Sequence, residues 1–278
     1  LGDKVFKDCI NLKTIKNLNT WGIHITNELD QIQPWNRLSN CDYLFYNCKN
    51  LKIESSYSEH IIAPLLKRYF HYGIRPDIEY REYRVGKFAF GYCDFFASGM
   101  DIINIYPYYA DNIGARYLLT DSFFAYSTIT KFTYDIRPLT RAWDPGFHPC
   151  KINRMFMYTP IEKCNLTGAG TLDLRPARDG QGEWCISAFE GCHKLKILCI
   201  DSVEGHTGDE NDPYELSEDD KRIFKDCTSL QTVIINNKTD CVVSNPERQV
   251  DVVKSYLSKC GLNVDNIDIK FNSDGWPA

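Results

Sequence analysis

Apolar side chains recur along this chain in a fixed frame. An aromatic residue is followed by an apolar residue or a thiol at +3, +6 and +9, with mostly polar residues between. Phe224, Cys227, Leu230 and Val233 set the frame; Phe6, Cys9, Leu12 and Ile15 repeat it, as do Phe189, Cys192, Leu195 and Leu198. Phe96, Gly99, Ile102 and Ile105 keep the spacing without the thiol, and so do Phe123, Tyr126, Ile129 and Phe132. Phe45, Cys48, Leu51 and Ile53 close it one residue early. The frame predicts a short helical turn and then an extended segment, with its apolar groups on one side. A single copy cannot hide that side from water, so the copies must stack and bury it jointly, which makes a solenoid. The thiol suits the bend before the strand because a free cysteine behaves as a small, readily buried apolar residue.

This succession of aromatic, cysteine, leucine and aliphatic positions resembles the leucine-rich repeat of the BspA type. The resemblance covers roughly half of the chain, including both ends. It implies an α/β repeat fold, a leucine-rich-repeat solenoid. That family includes surface proteins of gut and oral bacteria and of protozoan parasites, and related repeats occur on virus-like particles of gut bacteria. The resemblance therefore implies recognition at a cell surface or after secretion, or alternatively a place in a virion. It names no ligand.

Taken in order, residues 1–240 read as the solenoid and residues 241–278 as a C-terminal cap of one helix and one strand. The step from Phe6 to Phe45 exceeds the roughly 20–29 residues of such repeats, so insertions are expected. The largest lies at about 55–90, with a helical pattern over Ser58–His71 and a strand over Ile78–Val85. Loops are expected at about 157–184, which is glycine-rich, and at about 201–220, which is acidic; a degenerate copy is expected from Phe147 to Phe156. A helix start falls at Ser217 as an N-cap. In the last segment Val250, Val253, Tyr256 and Leu257 lie at helical spacing, Gly261 stops the helix, and a strand follows from Asn263. Leu1 already lies inside a copy of the frame, so a fragment or a processed product is expected.

Composition adds limits rather than detail. With 278 residues, 43% hydrophobic and 25% charged, the chain has the makeup of an ordinary globular protein. A formal net charge of −5 gives no bulk attraction for nucleic acid, and no apolar run reaches the ~20 residues of a membrane span. The 12 cysteines fall outside Cys-x-x-Cys spacing, and four of them share the thiol position of the frame. A packing role explains those better than disulfides or zinc.

Catalytic chemistry is thin. The sequence lacks the phosphate-binding loop, His-Glu-x-x-His and Gly-x-Ser-x-Gly. A zinc set drawn from His148, Cys150, Cys164, Cys185, Cys192 and His193 has irregular spacing, and the acidic run Asp209–Asp212 lacks the alternation of a calcium loop. Asn165 and Asn237 head glycosylation triplets in form only. No cofactor, no metal and no enzymatic activity are expected, and binding is the default. Strand residues alternate, so those flanking the +9 aliphatic face outward. This places Asn104, Tyr106, Tyr108, Lys131, Thr133, Ile197, Thr232 and Ile234 on one stripe. Tyr106, Tyr108, Tyr109 and Ile197 are the expected contact patch, because tyrosine buries much area at low entropic cost. The expected partner is a protein or a glycan, or neighbouring subunits of an assembly.

Overall fold

The computed structural model describes residues 3–15, 42–52, 86–95, 102–105, 119–134, 151–166, 171–173, 185–200, 202–204, 222–235 and 246–271. Its centre is a parallel sheet of strands β1 (Ile102–Ile105), β3 (Lys131–Tyr134), β5 (Lys163–Asn165), β7 (Ile197–Ile200), β9 (Thr232–Ile235) and β10 (Asp268–Phe271), in that spatial order. Two smaller parallel pairs join β2 (Leu119–Asp121) to β4 (Lys151–Asn153) and β6 (Thr171–Asp173) to β8 (Ser202–Glu204). One helix, α1 (Pro246–Lys259), is present among the described residues. The register carries Phe132, Cys164, Leu198, Val233 and Ile269 across the sheet as one inward row, all of them buried.

Among the described residues seven turns of one kind run beside this sheet, centred on Phe6, Phe45, Phe90, Phe124, Phe156, Phe189 and Phe224. The residues two before and two after the phenylalanine take positive φ: Lys4 and Asp8, Tyr43 and Asn47, Phe88 and Tyr92, Ser122 and Tyr126, Arg154 and Tyr158, Ser187 and Gly191. Around Phe224 only Asp226 does so. For residues with a Cβ this conformation costs about 1–2 kcal/mol each. Hydrogen bonding to the next turn offsets that cost. Phe45 N–H donates to Ala89 O, with Tyr43 and Asn47 on either side donating to Lys87 O and Gly91 O, at 2.7–2.9 Å. The same three-bond set links Phe88, Phe90 and Tyr92 to Asp121, Phe123 and Ala125, and it recurs along the stack.

The phenylalanine rings pile up in step. Phe6 stacks on Phe45 at 5.3 Å and Phe45 on Phe90 at 5.2 Å; at the far end Phe156 stacks on Phe189 and Phe189 on Phe224, both at 5.5 Å. The thiols have a role beyond filling space. Cys48, Cys93, Cys192 and Cys227 each donate from Sγ to the carbonyl of the phenylalanine one turn earlier, at 2.9–3.1 Å. That carbonyl already accepts the amide three residues on, so the thiol meets its second lone pair.

The structure differs from the sequence frame in several places. The expected helical turns are hydrogen-bonded turns with left-handed residues, because the ladder, not an internal helix, satisfies their amides. Phe124, not Phe123, is the centre of its turn, with Ser127 in the thiol position. A turn at Phe90 lies at the edge of the expected insertion, while Phe96–Met100 fall outside the described residues. Phe156, expected to close a degenerate copy, is itself a turn centre with Thr159 in the thiol position. Its strand β5 therefore occupies part of the expected loop at 157–184. These copies reach their strand at +8 (Phe132, Cys164) rather than +9, which hid their register. The helix at 58–71, the strand at 78–85, the copy at Phe147–Cys150 and the N-cap at Ser217 lie outside the described residues.

The C-terminal helix and strand follow the sequence reading. Pro246 opens α1, where its missing N–H costs nothing. Gly261 has φ 89°, Leu262 N–H donates to Leu257 O and Gly261 N–H to Ser258 O, the paired bonds of a glycine-ended helix. Leu257 and Cys260 are fully buried, Cys260 O accepts Phe224 N–H, and β10 adds to β9. Residues 246–271 thus share the core of the last turn and strand.

Candidate functional site

The register assembles most of the expected stripe. Lys131, Lys163, Ile197, Thr232 and Asp268 form one row across five strands, and Asn104, Thr133, Asn165, Cys199, Ile234 and Lys270 form the next row on the same side. Only the first row is open to solvent from Lys131 to Thr232. Thr133 at 7% exposure and Ile234 at 3% are buried. They face outward by alternation but are covered, and alternation reports direction, not cover. Asn165 is also fully buried, so it cannot carry a glycan in the folded chain. Asn104 is placed in register by β1; Tyr106, Tyr108 and Tyr109 lie outside the described residues.

Within the open row Lys131 and Lys163 stand opposite each other on adjacent strands, and neither has an ionic partner among the described residues. Strands lie about 4.8 Å apart, so the two ammonium groups reinforce one another's field. Beside them Lys196 is paired to Glu162 at 3.2 Å.

A second surface feature was missed. Tyr92, Tyr126 and Tyr158 occupy the same position, two residues after the phenylalanine, in three successive turns. Their rings stack at 4.6 and 5.3 Å with interplanar angles of 13° and 12°, and Tyr46 meets Tyr92 edge-on at 5.3 Å. Tyr92 and Tyr158 are 40% and 44% exposed. Burial raises the pKa of Tyr46 and of Tyr126, with neighbouring phenols adding to it. The signal was legible as Phe-x-Tyr at residues 90–92, 124–126 and 156–158, once those phenylalanines are known to be turn centres.

The column ends over Gly191, where Tyr158 meets a buried carboxylate. Glu190 accepts from Arg222 Nη2 at 2.6 Å and Nε at 3.2 Å, and Lys225 lies 3.9 Å away. Burial pushes the Glu190 pKa up, but hydrogen bonds from Arg222 and Ser187 and the charges of Arg222 and Lys225 outweigh it, and the net shift is downward. The thiols shift the other way. Burial takes Cys48 to about 11 and Cys192 to about 12, and Cys93 and Cys227 are raised as well. They are hydrogen-bond donors, not nucleophiles.

Among the described residues no group of three or more His, Cys, Asp or Glu side chains is placed to hold a metal ion, and no helix is long and apolar enough to cross a membrane. No protein-family model, no curated protein and no solved structure matches this chain.

Proposed function

We propose that this chain is a leucine-rich-repeat solenoid of the BspA type and works as a non-enzymatic recognition module. In this reading it is an adhesin-like protein of a cell surface or a secreted one, binding a protein or a glycan through the outward side of its parallel sheet. The observation that carries the reading is the open row Lys131–Lys163–Ile197–Thr232, which puts two cations without an ionic partner among the described residues, an aliphatic group and a hydroxyl in a line on neighbouring strands. Such a row offers charge selection at one end and apolar contact at the other.

The test is binding of the full chain to arrayed proteins and glycans, repeated with Lys131→Glu/Lys163→Glu and with Ile197→Asp. A partner lost at least tenfold with both variants, at unchanged melting temperature, supports the sheet face. Full binding by both variants rules that face out.

A structural part of a larger particle such as a phage virion, packed on neighbouring subunits, is the alternative. The free, buried thiols of Cys48, Cys93, Cys192 and Cys227 favour it, since they give this stack no covalent reinforcement for an oxidising exterior. A stable, discrete assembly in light scattering speaks for that alternative.

A further inference from the structure

One position of the repeated turn is filled in two ways. Two residues after the phenylalanine the backbone has positive φ in all seven turns. Asp8, Asn47, Gly191 and Asp226 fill it with the residue types that tolerate a left-handed backbone best. Tyr92, Tyr126 and Tyr158 do not. A bulky side chain there is strained, and strain kept in three successive turns points to a use beyond folding. What the three tyrosines share is the column. Tyr126 has Tyr92 on one face and Tyr158 on the other, so no flat ligand can stack on it. The column therefore offers solvent its phenol edges rather than its ring faces, and Tyr92 and Tyr158 are exposed there. Tyr92 and Tyr126 form the closer of the two stacked pairs, at 4.6 Å and 13°, whereas the Tyr158 hydroxyl is engaged by Glu190 at 3.5 Å.

We propose that Tyr92 and Tyr126 are a modification site, which a one-electron oxidant of the peroxidase type couples into dityrosine, a covalent staple between successive turns. Each phenol gives up one electron and one proton and becomes a phenoxyl radical. Hydrogen peroxide, the terminal oxidant, takes up both electrons and both protons and leaves as two molecules of water. The radicals join through one carbon ortho to each oxygen. The hydrogen on each joined carbon then moves to the oxygen and restores the ring. The product keeps both phenol hydroxyls, gains one carbon–carbon bond and has two hydrogen atoms fewer. Because the fold already holds the two rings together, the coupling is intramolecular, which favours it over collision between chains. Every described cysteine is free, so among the described residues no disulfide ties one turn to another. The staple supplies such a tie and constrains the unfolded chain as a disulfide does. It uses none of the residues of the sheet row and stands whether or not that row binds a ligand.

The experiment treats the dilute full chain with a haem peroxidase and hydrogen peroxide, follows dityrosine fluorescence, and maps the links by peptide mass spectrometry. The expected product is a single chain lighter by two hydrogen atoms, with Tyr92 joined to Tyr126 as the most abundant link. Tyr92→Phe and Tyr126→Phe keep the ring and lose the phenol, and each is expected to lower the intrachain dityrosine yield at least fivefold. Tyr158→Phe is expected to leave most of that yield. No dityrosine at all, or links among other tyrosines without one between Tyr92 and Tyr126, overturns the proposal. Coupling of these two residues only between separate chains also overturns it, as does an undiminished intrachain yield from Tyr92→Phe. A loss in Tyr158→Phe equal to that in Tyr92→Phe overturns the assignment to this pair.

Discussion

The Cys192 thiol reaches across one turn to donate to the carbonyl of Phe156 at 3.0 Å. The contact explains why cysteine, rather than alanine or valine, recurs three residues after the phenylalanine. The site needs a small side chain that is apolar enough to be buried and still carries a donor long enough to cross between turns. Cys227 repeats the contact with Phe189 O at 3.0 Å. Cys227→Ala is expected to lower stability by about 1–3 kcal/mol through the lost bond and the small void. Denaturant unfolding measures this; an unchanged midpoint would mean the thiol is only filler.

The same slot tests itself at Ser127. Its Oγ is buried and has no partner among the described residues, and Thr159, the other hydroxyl in the slot, folds back onto its own Phe156 O at 2.8 Å. Thr159 Oγ1 also meets Cys192 Sγ at 3.7 Å on the following turn, but a hydroxyl oxygen sits too close to its Cβ to reach the carbonyl of the preceding turn as the thiols do. Ser127→Cys is expected to restore the donor to Phe90 O and to stabilise the fold by about 1 kcal/mol. A fall in melting temperature would count against the explanation.

Two carboxylates predict opposite pH responses. Glu190 has a lowered pKa, so its contribution is present above its unfolded value and is lost as pH falls through the folded one. Asp42 has a raised pKa, from burial first and then from Asp3 and Asp121, against the Lys87 amide that it accepts. Its contribution is present in acid and is lost as pH rises through the folded pKa. Glu190→Gln is expected to lower stability at pH 7 and to flatten the acid limb. Asp42→Asn, which keeps an oxygen for the Lys87 amide, is expected to raise stability at neutral pH, with the gain vanishing in acid. Denaturation across pH reads both, and equal shifts for Asp42→Asn at every pH would refute its part.

Gly191 isolates the effect of the tyrosine column. Asp8, Asn47, Tyr92, Tyr126 and Tyr158 hold the same position with positive φ, so the φ of 74° at Gly191 does not by itself require glycine. The Tyr158 ring does, since a Cβ at Gly191 would collide with it. Gly191→Ala is expected to cost about 2 kcal/mol or more in the wild type and about 1 kcal/mol in a Tyr158→Ala background. A double-mutant cycle gives the difference, and additivity would show that the ring is not the obstacle.

The recurring core spacing and the C-terminal helix and strand were legible in the sequence. The spacing of Phe6, Cys9 and Leu12, of Phe189, Cys192 and Leu195, and of Phe224, Cys227 and Leu230 marks which side chains enter the core. Helical spacing with Gly261 marked α1, because local backbone preference and burial there point the same way. Alternation alone placed Lys131, Ile197 and Thr232 on the stripe, whereas Lys163 between them came only from the structure, because β5 lies where a loop was expected. Three further things were decided only in the tertiary structure. Left-handed φ at Tyr43, Phe88 and Arg154 runs against their own preference and exists because each amide is bonded to the next turn. The centres at Phe90, Phe124 and Phe156 were set by stacking, which tolerates a strand one residue nearer and a hydroxyl for a thiol. Cover was the third: Thr133 and Ile234 obey the alternation and are buried, whereas Tyr92 and Tyr158 flank core phenylalanines and are exposed. Periodicity states the direction of a side chain from its own strand or turn; only the neighbouring chain determines whether water reaches it.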